Sequence, residues 1–338
     1  MNRSVGTSLF TAVLLMLPLV LPMESAVASK SRFTIVMMVW RGCEEACKGF
    51  QDYIRQRDIP ADILIRDANR DRSRLPGFVT EAKNRNVDLV VTWGTSVTRG
   101  VVGSIDQTDP AEHITQIPVV FMIVADPIGA GIIKSVESSG RENITGTLNR
   151  APEEVQIKAI RAYRPFRKLG VLFNRNELNS VLNADAIDAL ARKEGFELVS
   201  YEFPLGADGK PAVDQMPDAI STMERANVDF IYVGSSSFLM ANRDRLIKEA
   251  TARGLPIATA YAAMASESGA LIAVASRYYN VGKLAGFQAE QVLINRIRPI
   301  EVPIRNLSRF SYIVNMEAAH RLGMYPPLDV LRYAEVVE

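Results

Sequence analysis

The stretch IPVVFMIVADPIGAG, residues 117–131, decides how the chain is read. An apolar run from Val119 to Ala125 stops at Asp126-Pro127, and a small Gly-Ala-Gly follows. A short apolar run bounded by turn residues reads as a buried strand. The glycines behind it raise the question of a phosphate loop. A Walker A loop requires G-x-x-x-x-G-K-[ST], and Lys134 stands where its second glycine belongs. A dinucleotide loop requires G-x-G-x-x-G, and Lys134 again takes the last glycine position. The strand therefore opens onto something other than a recognisable nucleotide site. Asp126 has two readings. A carboxylate at a strand end accepts a hydrogen bond from a ligand ammonium, or it makes the local cap of an Asp-Pro turn.

Outward from this strand the pattern alternates. Before it come strands at 32–40, 59–67 and 87–93, separated by helices at 44–57, 78–86 and 96–105. In the first helix Ala46, Phe50, Tyr53 and Ile54 share one face. The rhythm restarts after TGTLNRAP (145–152), which looks like a joint. A helix at 151–165 opens with Pro152 and Glu153-Glu154, residues suited to a first turn. Strands are predicted at 168–174, 196–204, 228–235, 255–261 and 270–276, with helices at 179–195, 216–227, 238–254 and 281–297. Short strand-like pieces at 300–306 and 309–315 and helices at 316–323 and 328–337 complete the chain. Alternating strands and helices imply parallel sheets with right-handed crossovers. The fold class is α/β, with two similar Rossmann-like lobes, and the length of 338 residues suits two ordinary domains.

Composition narrows the functions. Thirty-nine basic residues oppose 38 acidic ones, a net charge of +1, so there is no electrostatic footprint for nucleic acid. The N-terminus has Arg3, an apolar run near Leu9 to Leu21 and then Ala26-Val27-Ala28. This is the pattern of a secretory signal over 1–28; the apolar run is short for a membrane span and is broken by Pro18 and Pro22. An exported protein follows, in the periplasm should the source be Gram-negative. Cys43 and Cys47 stand in WRGCEEACKGF. An oxidising compartment favours a disulfide between them. An i,i+4 pair on one helix does not have ideal geometry for one, so both states stay open.

In open α/β sheets ligands bind at the carboxyl ends of strands. Those ends present Trp40 and Arg41; Trp93, Gly94, Thr95 and Ser96; Asp126; Asn174, Asn176, Asn179 and Ser180; Ser235 and Ser236; and Tyr261. Several are hydroxyl-rich turns entering helices, where unpaired N–H groups bind carboxylates or phosphates. Each alone is an ordinary N-cap; their repetition at the same end of successive strands points to a site. Trp40 and Trp93 close strands and read as cleft walls, Tyr278 reads as core or cleft, and Tyr279 reads as core. Catalysis is disfavoured. The two histidines, His113 and His320, have no partners at metal-ligand spacing, and there is no G-x-S-x-G elbow. No metal or cofactor is expected.

These residues together resemble the tryptophan/tyrosine-type ABC transporter substrate-binding proteins. The resemblance is carried by PVVFMIVADPIGAGIIKSVESSGRENITGTL, by VLFNRNELNS and by RFSYIVNMEAAHRLGMYPPLDVLRYAEVV, and covers nearly all of the chain after the export signal. It implies a type I periplasmic-binding fold in which a three-crossing hinge joins the lobes. Lobe 1 would comprise 30–148 plus 270–304, and lobe 2 149–269 plus 305–338. It further implies a monomer that captures a small solute, an amino acid or related aromatic or polar molecule being favoured, and hands it to a permease in the inner membrane. A sensor for a membrane receptor would have the same fold. For an amino-acid ligand, the carboxylate would meet Thr95, Ser96 or Ser180 and the ammonium Asp126, while Trp40, Trp93 or Tyr261 would stack on the side chain. Arg41 on the rim suits an acidic ligand.

Overall fold

The computed structural model describes residues 1, 2 and 32–338. All but the first two residues of the expected export signal lie outside the described residues. Five strands, β1 (Phe33–Val39), β2 (Ala61–Asp67), β3 (Leu89–Trp93), β4 (Val119–Val124) and β5 (Ile144–Leu148), form one sheet in the order β2-β1-β3-β4-β5. All its pairs are parallel. Seven more strands follow: β6 (Lys168–Phe173), β7 (Glu197–Glu202), β8 (Phe230–Val233), β9 (Ile257–Thr259), β10 (Ile272–Ala275), β11 (Ser311–Asn315) and β12 (Glu335–Val337). They form a second sheet in the order β12-β11-β10-β9-β8-β6-β7, parallel except where β10 meets β11.

The helices are α1 (Glu45–Gln56), α2 (Leu75–Asn84), α3 (Thr95–Val102), α4 (Glu153–Tyr163), α5 (Leu178–Glu194), α6 (Met216–Arg225), α7 (Ser237–Ala241), α8 (Arg243–Ala252), α9 (Ala262–Ser266), α10 (Tyr278–Leu293), α11 (Met316–Leu322) and α12 (Leu328–Leu331). Helices cover both faces of each sheet, so the central strands are buried on both sides and read as apolar runs rather than alternating ones. In β8, Phe230 and Tyr232 enter one core while Ile231 and Val233 enter another. That division is the two-residue period of a strand.

Helix α10 leaves the second sheet and packs on the first lobe, where Val281, Ala285 and Ala289 join the core of Ile35, Met37 and Phe50. Its partner is α1. The approach is close enough that a Cβ on Gly282 would lie 1.9 Å from the Ala46 carbonyl oxygen, and one on Gly49 would lie 2.0 Å from that of Tyr279. The chain passes between the sheets three times, after β5, after β10 and before β11. The crossings are bonded to one another. Asn306 Nδ2 donates to the Arg150 carbonyl (3.0 Å), Leu148 N–H to the Arg305 carbonyl (2.8 Å), and Asn149 Nδ2 to the Tyr278 hydroxyl (3.3 Å).

Several boundaries differ from the sequence reading. Residues 270–275 were expected with lobe 1, yet β10 lies in the second sheet and the crossing follows it. The proposed joint at 145–152 begins inside β5, whose ITGTL carries no sustained apolar run. Residues 300–306 form no strand beyond a single bridge at Arg305, after a 3-10 turn at Pro299–Glu301. The helix expected over 328–337 ends at Leu331, because Glu335–Val337 pairs with β11 and extends its sheet. The helix expected over 238–254 is interrupted at Asn242.

Candidate functional site

The carboxyl ends of strands from both sheets meet around a small cavity of about 40 Å³, so the two lobes stand closed on one another. From the first sheet, β1 leads to Trp40 and Arg41, β3 to Trp93 and the start of α3, and β4 to Ile123 and Ala125. From the second come Ser235 and Ser237 after β8, Tyr261 after β9 and Asn179 on α5. The crossings supply Asn149 and Tyr278.

The walls are aromatic. Trp40, Trp93, Tyr261 and Tyr278 all face the cavity, and Trp93 meets Tyr278 edge-on at 6.5 Å. The Arg41 guanidinium lies over the Trp93 ring, 5.0 Å from its centroid, in cation–π geometry. Its Nε and Nη2 bind the Glu44 carboxylate at 2.6 and 3.2 Å. Burial works against the charge of Arg41, but the hydrogen bond and charge of Glu44 outweigh it and hold its pKa above the ordinary value. Burial raises the phenol of Tyr278 to about 12 and that of Tyr261 well above its usual value, so both are protonated hydroxyls at neutral pH.

Polar groups enter this apolar box at few points. Gly94, at φ +85°, turns the chain into α3, whose first residues, Thr95 and Ser96, line the cavity. First-turn amides have no intrahelical acceptor and carry the positive end of the helix dipole. Two buried side chains on the lining lack partners: the Trp93 indole N–H and the Asn149 amide oxygen. Such groups cost free energy unless something occupies the site. In β4, three residues oppose two of β5, and within this bulge Ile123 has φ +58°. A β-branched residue rarely adopts that conformation, and a bulge re-aims side chains beside functional sites. Here it aims Ile123 at the cavity.

A second layer braces the wall. Asn174, fully buried, accepts from the Ser236 hydroxyl (2.6 Å) and the Ser180 hydroxyl (3.2 Å) and donates to Glu177 (3.2 Å). Glu177 in turn accepts from the amides of Ser237 (2.8 Å) and Phe238 (3.0 Å), closing the start of α7. The Ser236 amide donates to the Tyr261 hydroxyl (2.8 Å), which orients that ring. Arg150, held by Glu153, donates to the Ser235 hydroxyl (2.9 Å). At the outer rim Arg72 donates to both the Asn176 carbonyl (2.9 Å) and the Ser96 hydroxyl (3.2 Å), which ties the two lobes together.

Of the residues singled out in the sequence, Trp40, Arg41, Trp93, Gly94, Thr95, Ser96, Asn179, Ser235 and Tyr261 line the cavity. Asn174, Ser180 and Ser236 brace its wall, and Asn176 sits on the rim. Asp126 is a correction. It does not line the cavity: its Oδ1 accepts from the Gly129 amide at 2.8 Å, the Asp-Pro turn cap that was the other reading. Ile123 and Asn149 were missed. Neither has a local signal, since one depends on a bulge and the other on a hinge crossing. Cys43 and Cys47 form a disulfide. The objection from helix geometry does not apply, because Cys43 precedes the helix that holds Cys47.

Comparison with known proteins bears on the family and the fold. The family model for ABC transporter substrate binding proteins matches residues 34–338. A tyrosine-binding protein of Clostridioides difficile (strain R20291) is 27% identical over 209 residues, which cover 62% of this chain and 57% of the relative. The match thus spans little more than half the length of that protein. A solved structure of an ABC domain in complex with L-Trp from Streptococcus pneumoniae superposes with a TM-score of 0.78 at 23% identity, covering 91% of this chain and 100% of the other. A conserved domain protein from Vibrio cholerae does so with a TM-score of 0.79 at 20% identity, covering 91% and 100%. At these identities the two structures establish the fold, that of the type I periplasmic binding proteins.

Proposed function

The chain belongs to the ABC transporter substrate binding protein family, and from that premise we propose that it is an exported periplasmic binding protein for a small aromatic solute bearing a carboxylate. The observation that carries this reading is the aromatic box of Trp40, Trp93, Tyr261 and Tyr278 with the N-terminus of α3 opening into it. Indole and phenol walls suit an aromatic ring, which the lobes would admit by parting, since the space between them is about 40 Å³ here. A carboxylate suits the first-turn amides at Thr95 and Ser96. Both lobes contribute lining residues, so a bound solute favours the closed arrangement by bridging them. The closed monomer then delivers the solute to an inner-membrane ABC importer. The tyrosine and L-Trp named for the two relatives support the aromatic preference.

Native mass spectrometry of the purified protein tests the reading directly, through any retained solute. A thermal-shift panel of aromatic amino acids and aromatic carboxylic acids complements it. A binder present at one hundred times its Kd should stabilise the fold by about 2.7 kcal/mol. A panel in which no aromatic carboxylate raises Tm, while non-aromatic solutes do, would refute the proposal.

A further inference from the structure

The electrostatics of the cavity say more about the solute. Resting on the reading above, we propose that the solute is an aromatic acid anion without an ammonium group, rather than a zwitterionic amino acid. The groups on the lining that favour an anion are the Arg41 guanidinium, paired with Glu44, the start of α3 and the unpartnered indole N–H of Trp93, a residue only 4% exposed; against them stands a neutral acceptor, the Asn149 amide oxygen. A hollow beside Thr95 and Ser96 continues outward, and its charged lining residues are Arg72 and Arg99. Among the described residues lining either space, none is Asp or Glu.

The carboxylates nearby lie behind the lining rather than on it. Asp126 caps its own turn through the Gly129 amide, Glu44 holds two donors of Arg41, and Glu177 holds the Ser237 and Phe238 amides. A ligand ammonium brings three donors and needs a counter-charge where it is desolvated. The unpartnered buried acceptor on the lining is the amide oxygen of Asn149, a neutral group. The face of Trp93 is taken by Arg41, and the remaining aromatic walls offer a cation ring faces but no counter-charge. A carboxylate on a ring has the opposite fortune: it meets helix amides, an indole N–H and an arginine, and its ring keeps the aromatic walls.

The test is calorimetry of the whole protein with three probes that share a ring: L-tyrosine, 3-(4-hydroxyphenyl)propanoate and tyramine. The deaminated acid should bind at least tenfold more tightly than the amino acid, and the amine should not bind. An amino acid that binds as tightly as its deaminated form, or more tightly, overturns the inference while leaving the aromatic-carboxylate reading intact. Binding of the amine alone, or of none of the three together with none of the corresponding indole compounds, overturns both. Asn149→Asp, checked for folding by circular dichroism, puts a carboxylate where the neutral oxygen sits. It should move the preference at least tenfold toward the amino acid, and an unchanged ratio also overturns the inference.

Discussion

Two glycine-to-alanine substitutions should have opposite signs, although both glycines are helical. At Gly282 in α10 a Cβ would lie 1.9 Å from the Ala46 carbonyl oxygen and 2.7 Å from its carbon. Ordinary contact begins near 3.4 Å, so α1 and α10 would have to part by about 1.5 Å. Overpacking of this kind costs about 1–3 kcal/mol. The obstacle is backbone and cannot swing away, which places the cost near 3. The better helix propensity of alanine returns about 1 kcal/mol, leaving a net loss of about 2 kcal/mol. At Gly77 in the first turn of α2 nothing lies within 4 Å of the added methyl, and the same exchange should stabilise by about 0.4–1 kcal/mol. Urea unfolding of Gly282→Ala and Gly77→Ala against the parent reads both effects as shifts in midpoint at constant m. The nearness of this packing to the cavity adds a functional readout. Helix α10 begins at Tyr278 and α1 follows the Arg41 loop, so Gly282→Ala should also weaken solute binding, whereas Gly77→Ala should not. A Gly282→Ala midpoint at or above that of the parent would refute the packing argument.

Three further outcomes follow from single contacts. Glu290 on α10 accepts from Arg57, just past the end of α1, and from Tyr53 on α1, and these bonds hold its carboxyl below the ordinary range. Its contribution is therefore fully present above the unfolded carboxyl value near 4.3 and is lost as pH falls through the folded value; Glu290→Gln should flatten stability measured between pH 5 and about 3, and an unchanged slope counts against the contact. Reducing the Cys43–Cys47 disulfide, or replacing both with serine, should cost about 2 kcal/mol, the small entropy of so short a loop; equal urea midpoints with and without reductant would exclude this. Asp126→Ala should leave solute affinity within about twofold and lower stability by about 1 kcal/mol, through the lost turn bond to Gly129. A tenfold loss of affinity in calorimetry would return Asp126 to the site.

Much of the architecture is legible locally. Buried parallel strands appear as apolar runs such as VVFMIV, and their carboxyl ends mark where a cleft must lie, so Trp40, Trp93, Thr95 and Tyr261 stand out without coordinates. Pieces whose pairing depends on a distant partner do not: β12 is a strand because β11 offers it an edge, and β5 carries no apolar run of its own. The same division runs through the site. Asp126 reads equally as ligand partner or turn cap, because the choice depends on whether its carboxylate reaches the cavity or its own Gly129 amide, a matter of a few ångströms.

What the sequence determined by itself is therefore the layered α/β plan, the place of the cleft and its aromatic character, all consequences of short-range periodicity and of the residues that end each strand. Only the tertiary structure decided which polar groups face the ligand. The bulge that turns Ile123 inward, the crossing that brings Asn149 beside Tyr278, and the engagement of Glu44, Asp126 and Glu177 elsewhere are long-range or geometric events. They leave a cavity with no carboxylate on its lining, and that balance is a sum over side chains brought together from both lobes, which no single segment of the chain contains.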